Sequence, residues 1–187
     1  MSKVYWGIEK VHYAILDETT GTYETPIPIP GAVNLGLSAE GDQVDFYADN
    51  IKYFNASSNN GYSGDLEMAK FTDEFLQDAL GWTIDSNGAV AELSSAIQKP
   101  FALLFEIKGD VNNRRYVYYN VKAARPSRTH ATQSESIEVG TETATLSIIP
   151  KAFDDVHYIG QYLEPSVENA AAYQGWFTTV YEPQAGE

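Results

Sequence analysis

Two runs of apolar and aromatic residues dominate the middle of the sequence. PFALLFEIK (100–108) and RYVYYNVK (115–122) are separated by a polar connection at 109–114. Runs of this kind around a polar connection predict two antiparallel strands joined as a hairpin. Alternate side chains share one face of a strand, and the expected buried face comprises Phe101, Leu103, Phe105, Ile107, Val117, Tyr119 and Val121. A chain with such a hairpin at its centre has to bury a β-sheet.

Strand patterns recur along most of the remaining chain. They occupy residues 10–16, 32–39, 43–49, 64–69 and 136–149, and a last short strand is predicted at 176–181. One short helix is expected between Thr72, a suitable N-cap, and Gly81, a suitable C-terminal glycine. Its apolar stripe comprises Phe71, Phe75, Leu76, Ala79 and Leu80. A helical turn is also predicted at 166–173.

These elements, about seven to nine strands with one substantial helix, define the expected fold class. The sequence predicts a mainly β protein, a β-sandwich or barrel with one packed α-helix and a long inter-strand loop. We expect a single domain over residues 1–187, with an N-terminal arm at residues 1–10.

The segment 43–64 combines a strand pattern with a polar stretch. A hairpin is predicted around the acidic turn at Glu40, Gly41 and Asp42. In its second strand, Val44, Phe46 and Ala48 share one face and Asp45, Tyr47 and Asp49 the other, which predicts a half-buried strand with an acidic outer face. NASSNNGYSG (55–64) is dense in Asn, Ser and Gly and predicts a long loop within residues 50–64. A loop of this length is expected to be mobile or bound to another molecule.

Composition and motifs argue against nucleic-acid binding, thiolate chemistry, nucleophilic catalysis and metal binding. With 12 basic against 26 acidic residues and a net charge of −14, the chain is not expected to bind nucleic acid through its overall field. The sequence has no cysteine, which excludes disulfides and thiolate chemistry. Its histidines (His12, His130 and His157) are scattered, nucleophile-elbow and phosphate-loop motifs are absent, and DSNG (85–88) is a turn pattern. We therefore expect no catalytic residue, no metal and no cofactor.

Hydropathy along the chain does not indicate a membrane-spanning segment. No apolar run approaches the roughly 20 residues that a transmembrane helix needs. The first residues also lack the hydrophobic segment of a secretory signal. We expect synthesis in the cytoplasm and no membrane insertion.

Charge is distributed unevenly along the chain. Between Val11 and Ile51 lie seven acidic residues and no Lys or Arg, whereas between Lys99 and His130 seven basic residues accompany two acidic ones, a net +5. Two interpretations are open: two solvated faces of opposite sign, or a head-to-tail interface between copies of the chain. For such an interface, the candidate basic contacts are Arg114, Arg115, Arg125 and Arg128.

Several stretches are recognisable when they are taken together. They are PIPGAVNLGLSAEGDQVDFYADNIKYFNASSNNGYSGDLEMA (28–69), FLQDALGWTIDSNGAV (75–90), KPFALLFEI (99–107), RYVYYNV (115–121) with ARPS (124–127), and WFTTVYEP (176–183). The chain resembles the major tail proteins of long, non-contractile-tailed phages of Gram-positive bacteria. The resemblance runs from residue 11 to residue 183, and its most specific part is 46–64, FYADN followed by NNGYSGDLE.

The resemblance implies a structural protein of the virion and not an enzyme. Such tail tube proteins have a β-sandwich or barrel with a flanking helix and form hexameric rings, which stack into the tube of a siphovirus. Double-stranded DNA passes through the tube during genome ejection without specific binding. Implied partners are further copies of the chain, a tape measure protein inside the tube, and a tail terminator and a distal tail protein at its ends. Some relatives carry an immunoglobulin-like C-terminal domain, which we do not expect here because the sequence ends at Glu187, just after the shared YEP.

The resemblance also implies where to look for assembly residues. An acidic lumen lets DNA slide without sticking, and the candidate lumen-facing carboxylates are Asp42, Asp45 and Asp49. The long polar loop suits a segment held by a neighbouring subunit or ring. Its candidate contacts, beside the four arginines, are Asn55, Asn59, Asn60 and Tyr62.

Three other functions stay open at this point. A β-sandwich of this composition can be a lectin-like or receptor-binding module that binds carbohydrate through aromatic side chains and carboxylates. A tail terminator or distal component would form one closed ring and stop. An acidic glycosidase ranks last, because no acid–base pair stands out among 26 acidic residues.

Overall fold

The computed structural model describes residues 6–130 and 139–184, and within them the protein is mainly β. The first part of the predicted strand at 136–149 and the first half of the predicted N-terminal arm, residues 1–5, thus lie outside the described residues. Residues 8–10 of that arm begin the first strand. The strands are β1 (Ile8–Ile15), β2 (Ile27–Pro28), β3 (Ala32–Glu40), β4 (Gln43–Ala48), β5 (Ile51–Ser57), β6 (Gly61–Met68), β7 (Thr83–Ile84), β8 (Val90–Ala91), β9 (Phe101–Ile107), β10 (Arg115–Ala123), β11 (Ser127–Arg128), β12 (Glu142–Ile148), β13 (Lys151–Phe153), β14 (Val156–Tyr158) and β15 (Gly160–Leu163). The helices are α1 (Asp73–Leu80) and α2 (Ala170–Gly175).

Nine strands form one antiparallel sheet with the order β2-β1-β9-β10-β12-β6-β3. The other two members, β15 and β11, pair with β10 and β12. The predicted hairpin, β9 with β10, lies at the centre of this sheet. Of the two edges of β10, one pairs with β9, while the other pairs first with β15 and then with β12. The sheet therefore branches at β10 and can enclose a core, as in the predicted sandwich or barrel.

The central hairpin departs from its predicted face assignment at one point. Val117 pairs with Leu104, and Val121 pairs with Phe101, with a register shift between Tyr118 and Val121. A one-residue bulge moves every side chain beyond it to the other face of the strand. Val121 accordingly packs with Phe101, whereas Val117 and Tyr119 lie on the opposite face, so the prediction that all three share one face is wrong.

Two hydrophobic cores result, one on each side of β1, β9 and β10. The first lies between the sheet and helix α1, and its largest side chains include Tyr13, Phe71, Phe75, Phe101 and Leu103. The second lies on the other side and comprises Ala14, Ala102, Leu104, Val117, Tyr119, Trp176 and Val180. Because both faces of β9 are covered, its residues from Phe101 to Phe105 are buried without interruption.

Helix α1 forms where the sequence predicts it. Thr72 Oγ1 accepts a hydrogen bond from the backbone N–H of Phe75 at 3.2 Å, and Gly81 ends the helix in the left-handed conformation with φ of 72°. This combination satisfies backbone groups that a short helix would otherwise leave unpaired. The predicted apolar stripe is buried against the sheet and closes one side of the first core.

The C-terminal segment covers the second core without adding a strand. The backbone N–H groups of Thr178 and Thr179 donate to the carbonyl of Gly175, which makes 176–179 a turn that follows α2. The predicted strand at 176–181 is therefore wrong. Its apolar residues are instead used to dock the segment: the Trp176 indole stacks on Tyr181 at 5.2 Å and donates Nε1–H to the carbonyl of Tyr116 at 3.2 Å.

Trp176 provides a test of this second core. We expect Trp176→Ala to lower the free energy of unfolding by about 3–5 kcal/mol, because the ring is fully buried and its cavity cannot be filled. Trp6→Ala is the matched control, since Trp6 is 64% exposed, and its cost should stay below about 1 kcal/mol. Chemical denaturation followed by tryptophan fluorescence measures both; equal losses would contradict the two-core description.

Candidate assembly surfaces

A two-stranded ribbon of β4 and β5 stands apart from the large sheet. It continues the β3–β6 pair, because Asn60 N–H donates to the Glu40 carbonyl and Ser58 N–H to the Asp42 carbonyl. We call residues 41–60 the ribbon. The prediction of a loop through 55–64 is wrong, since β5 runs to Ser57 and β6 begins at Gly61. The Asn- and Ser-rich sequence is held in extended form by cross-strand pairing with β4.

Glycines and a tight turn define the two ends of the ribbon. At its tip, Asp49 and Asn50 have φ of 52° and 62°, the positive values that a two-residue hairpin of type I′ requires. At its base, Gly61 has φ of 115°, and a β-carbon there would collide with the carbonyl of Ile148. A β-carbon at Gly41 would likewise meet the carbonyl of Ser58. Only glycine permits the close backbone contacts at which the ribbon leaves the sheet.

The ribbon is amphipathic, with its apolar face open to solvent. Val44 pairs with Ala56 and Phe46 with Phe54, so these four side chains share one face. The predicted alternation along β4 is thus present. The predicted half-burial is wrong, however, because Val44 is 60% and Phe46 58% exposed. Helix α1 already covers the first core, and the apolar side chains of the ribbon stay mostly exposed.

The three candidate lumen carboxylates all lie on the ribbon. Asp42 is at its base, Asp45 on β4 and Asp49 at the turn, and all are exposed. Asp45 is bound by Lys52 Nζ at 2.6 Å and by the Asn55 amide, and these hydrogen bonds hold the pKa of Asp45 below its usual value. The carboxylates are therefore spread along a projecting element. Their place in a lumen stays a prediction.

The candidate loop contacts divide between the ribbon and the sheet. Asn55 lies on β5, while Asn59 and Asn60 form the connection to β6. Asn59 Oδ1 accepts the Gly61 N–H at 3.3 Å. Tyr62 lies within β6, half-buried, with its ring edge-to-face against Tyr118 at 5.7 Å. The structure thus brings three asparagines to the ribbon and its base, and turns Tyr62 toward the strands beneath.

Each of the four candidate arginines has a carboxylate partner in its own chain. The pairs are Arg114–Glu164 at 2.6 Å, Arg115–Glu106 at 3.1 Å, Arg125–Glu92 at 3.0 Å and Arg128–Glu142 at 2.8 Å. The arginine side chain of the Arg125 pair is 72% exposed, so its guanidinium stays accessible to another molecule. Arg114 is less exposed and also lies over the ring of Tyr162 at 4.9 Å.

Arg115 and Arg128 serve the fold of the single chain. The Arg115 guanidinium stacks over Tyr173 at 3.9 Å and Phe177 at 4.9 Å, and donates to the Tyr173 carbonyl. It thereby fastens α2 and the C-terminal segment to the central hairpin. Arg128 lies over the Trp82 ring at 5.0 Å, and its partner Glu142 also accepts the N–H of Phe71 before α1. Of the four, Arg125 is the best placed to contact a neighbouring molecule.

A second surface escaped the sequence analysis. The outward side of β3, β6 and β12 is polar and acidic, and we call it the polar sheet face: Ser38, Glu40, Ser63, Asp65, Glu67, Thr143, Thr145 and Ser147. The sequences of these three strands contain no Lys or Arg. Thr145 Oγ1 donates to Asp65 at 2.8 Å, and Thr141 Oγ1 to Glu67 at 2.6 Å. The alternation of acidic residues with Leu66 and Met68 in 64–69 was the available signal.

In the part of the chain that the structure describes, no three His, Asp or Glu side chains are grouped so as to hold a metal ion. Neither helix in that part has the length and apolarity that crossing a membrane requires.

Comparisons with known proteins give distant likenesses. No protein-family model matches the chain, and no curated protein sequence is significantly similar to it. Among solved structures, a chain from the sheath–tube complex of the extracellular contractile injection system PVC is 12% identical, with coverage of 87% of this chain and 94% of that chain and a TM-score of 0.44. A chain from the PVC sheath/tube terminator is 9% identical, covering 87% and 99%, with a TM-score of 0.45. One from the baseplate of the anti-feeding prophage is 10% identical, covering 88% and 98%, with a TM-score of 0.43. With TM-scores below 0.5, these structures carry no argument about the function of this chain.

The cluster around Glu106 gives a pH-dependent prediction. Burial raises the pKa of Glu106, but hydrogen bonds and charge from Lys10 and Arg115 outweigh it and hold the pKa below its ordinary value of 4.5. The stabilisation from this carboxylate is therefore present above pH 4.5 and is lost as pH falls through the depressed pKa. We expect Glu106→Gln to lower the free energy of unfolding by about 1–3 kcal/mol at neutral pH, and by much less near pH 3.

Chemical denaturation at the two pH values measures that difference. Glu164→Gln is the control, because the Arg114–Glu164 pair is more exposed and should be worth less than about 1 kcal/mol. A loss for Glu106→Gln that is the same at both pH values would show that its charge is not what stabilises the fold.

Proposed function

We propose that the chain is a structural subunit that polymerises into the tail tube of a long-tailed phage. The sequence resemblance supplies the class of assembly: hexameric rings stacked into the non-contractile tube of a siphovirus that infects a Gram-positive host. The observation that carries the proposal is the ribbon, an ordered amphipathic element whose apolar face is uncovered in the single chain. An exposed apolar face of this size is typical of a surface that another protein covers.

The exposed aromatic side chains on the two faces of the ribbon supply more than half of the area that one partner contributes to a standard interface. Phe46, Tyr47, Tyr53 and Phe54 are 58, 62, 73 and 57% exposed. At roughly 200 Å² for each aromatic side chain, they present about 500 Å² to solvent. Each partner in a protein–protein interface of standard size contributes about 800 Å². An isolated two-stranded hairpin is also only marginally stable in water, so the ribbon gains from being covered.

A contact made by the ribbon is heterologous, which fits a polymer. The ribbon projects from one end of the β3–β6 pair, and on this proposal the surface that receives it lies on a different part of the neighbouring chain. Contacts between unlike surfaces generate rings or open filaments rather than closed dimers. The accessible Arg125 and the acidic ribbon add a charge pairing in the same head-to-tail sense.

For the lumen, the polar sheet face is a better candidate than the ribbon. It is a surface of short hydroxyl and carboxylate side chains, exposed or half-buried, with no basic residue on its three strands. Such a surface repels the DNA phosphates and offers them no hydrogen-bonding cation, so DNA can slide past. On this proposal Asp65 and Glu67 face the lumen, and Asp42, Asp45 and Asp49 lie where subunits or rings meet.

The remaining parts of the proposal follow the resemblance. The tube encloses a tape measure protein before ejection and is bounded by a tail terminator and a distal tail protein. The subunit is made in the bacterial cytoplasm and ends in the virion, and it needs no cofactor.

Electron microscopy of the concentrated protein, alone and with tail-tip components, tests the function. We expect hollow tubes with a regular axial repeat, and a helical reconstruction then shows which sheet face lines the lumen. Closed rings that never stack would assign the chain to a terminator or distal component. Monomers that bind glycans and form no tubes would assign it to a carbohydrate-binding module.

The ribbon predicts a sharp effect of mutation on assembly. We expect the double variant Phe46→Ser with Phe54→Ser to remain a folded monomer, since neither ring belongs to a core. Its critical concentration for tube formation should rise at least tenfold. The matched control is Ile97→Ser with Val167→Ser, two apolar side chains that are 80 and 96% exposed outside the ribbon, and it should change assembly much less. Light scattering gives the critical concentrations and circular dichroism checks the fold; normal tubes from the first variant would exclude the ribbon from the interface.

A further inference from the structure

A half-polar opening lies where residues of β6, β10, β14 and β15 meet the connection from the ribbon to β6. Its volume is about 440 Å³, within the range of roughly 300–1,000 Å³ that small-molecule sites occupy. Five of its ten described lining residues are tyrosines, and none of the ten is Asp, Glu, Lys or Arg. We call it the tyrosine opening. On a chain with a net charge of −14, this aromatic surface thus stands apart by its lack of carboxylates.

A row of four tyrosine rings forms the aromatic side of the tyrosine opening. Tyr116 and Tyr118 are two residues apart on β10 and so share a face, and Tyr162 on β15 lies opposite Tyr116. The ring centroids of Tyr116 and Tyr162 are 5.9 Å apart. Tyr62 continues the row beyond Tyr118, at 5.7 Å. Buried Phe105 stacks on Tyr116 at 5.1 Å and on Tyr118 at 6.3 Å, which holds these two rings in place.

The backbone of β15 leaves room for this row. Gly160 pairs with Tyr118, and a β-carbon at Gly160 would lie 2.7 Å from the Tyr118 ring and 2.6 Å from the carbonyl of Val117. Any other residue at position 160 would therefore displace the ring and narrow the opening. Asn59 adds a polar group: its Oδ1 accepts the Gly61 N–H, while its amide nitrogen has no hydrogen-bond partner among the described residues. The amide is thus held at one atom and keeps a donor for a ligand.

These features select the chemistry of a ligand. A charged molecule would be desolvated in the opening without an opposite charge among the described lining residues. A nucleotide is disfavoured further, because its phosphates meet the negative field of the chain. A purely apolar molecule would cover the Asn59 amide and leave its donor unpaired. A neutral sugar meets each condition, since the C–H groups of a pyranose ring pack on the negative faces of aromatic rings and its hydroxyl groups form hydrogen bonds.

We propose that the tyrosine opening binds one or two pyranose units of a neutral glycan. A sugar ring packs against Tyr162, which is 57% exposed at one end of the row, and a sugar hydroxyl accepts a hydrogen bond from the Asn59 amide. The site goes beyond the proposed function, because polymerisation requires no sugar. Since a single chain forms the whole opening, one subunit is sufficient for binding, and the test does not depend on tube formation.

Titration of the full chain with three neutral trisaccharides tests the site. Maltotriose, cellotriose and the trimer of N-acetylglucosamine present pyranose rings with different linkages and substituents, and isothermal titration calorimetry measures their binding. We expect at least one of them to bind with a dissociation constant of about 1 mM or lower. Tyr162→Ala should weaken that binding at least tenfold, and Asn59→Ala at least threefold. The matched control is Tyr53→Ala, which removes a tyrosine that is 73% exposed and does not line the opening, and it should bind the sugar as the unchanged chain does.

Circular dichroism checks that the variants are folded. A chain that binds none of the three trisaccharides would overturn the inference. Binding that survives Tyr162→Ala in a folded variant would place the sugar elsewhere and would overturn it as well. Tubes without sugar binding would leave the proposed function standing, whereas sugar binding by a chain that never forms tubes would support the site and contradict the proposed function.

Discussion

The rest of the structure depends on the burial of β1, β9 and β10 on both faces. A sheet strand covered on one side only leaves half of its side chains in water, whereas β9 has five consecutive residues buried. Two covers are needed: α1 with the curled part of the sheet on one side, and the C-terminal segment with Trp176 on the other. Arg115 joins the second cover to the hairpin through its carboxylate partner Glu106 and the rings of Tyr173 and Phe177. Because the two cores bury most of the large apolar side chains, the outer strands can present polar faces or apolar faces that the chain does not cover.

The sequence predicts the centre of this arrangement well and its periphery less well. Local signals are sufficient for α1, whose cap at Thr72 and glycine at 81 act within one turn of the helix. The apolar periods of β9 and β10 likewise predict their pairing. The bulge between Tyr118 and Val121 has no local signal, yet it decides which core Val117 and Tyr119 join. The position of the segment after Trp176 is also set by distant residues, because the segment is held by docking on the second core and not by strand pairing.

For the candidate site, the sequence predicts the apolar–polar alternation of β4 but not what its apolar face contacts. The pattern of Val44, Phe46 and their neighbours shows that β4 has an apolar face; it contains no information about whether that face meets the core of the same chain or a different molecule. The polar stretch at 55–60 contains the end of strand β5, because Asn55, Ala56 and Ser57 pair with β4. Strand pairing here overrides the low β-propensity of Asn and Ser. The arginines show the converse: they outnumber the acidic residues near them in sequence, yet each has a carboxylate partner in space. For Arg115 the partner is Glu106 on the adjacent strand, and for the other three it comes from a distant segment.

The marginal stability of a two-stranded ribbon also bears on how a tube would be controlled. When a ribbon docks, its strands lose conformational entropy because they are held in one geometry. Each contact is therefore weaker than its apolar area suggests. A weak single contact keeps subunits apart at low concentration. Once a ring presents several receiving surfaces at fixed spacing, binding at one raises the effective concentration for the next. Growth on an existing end is then favoured over new nucleation, which is the behaviour that a tube of defined length needs from its building block.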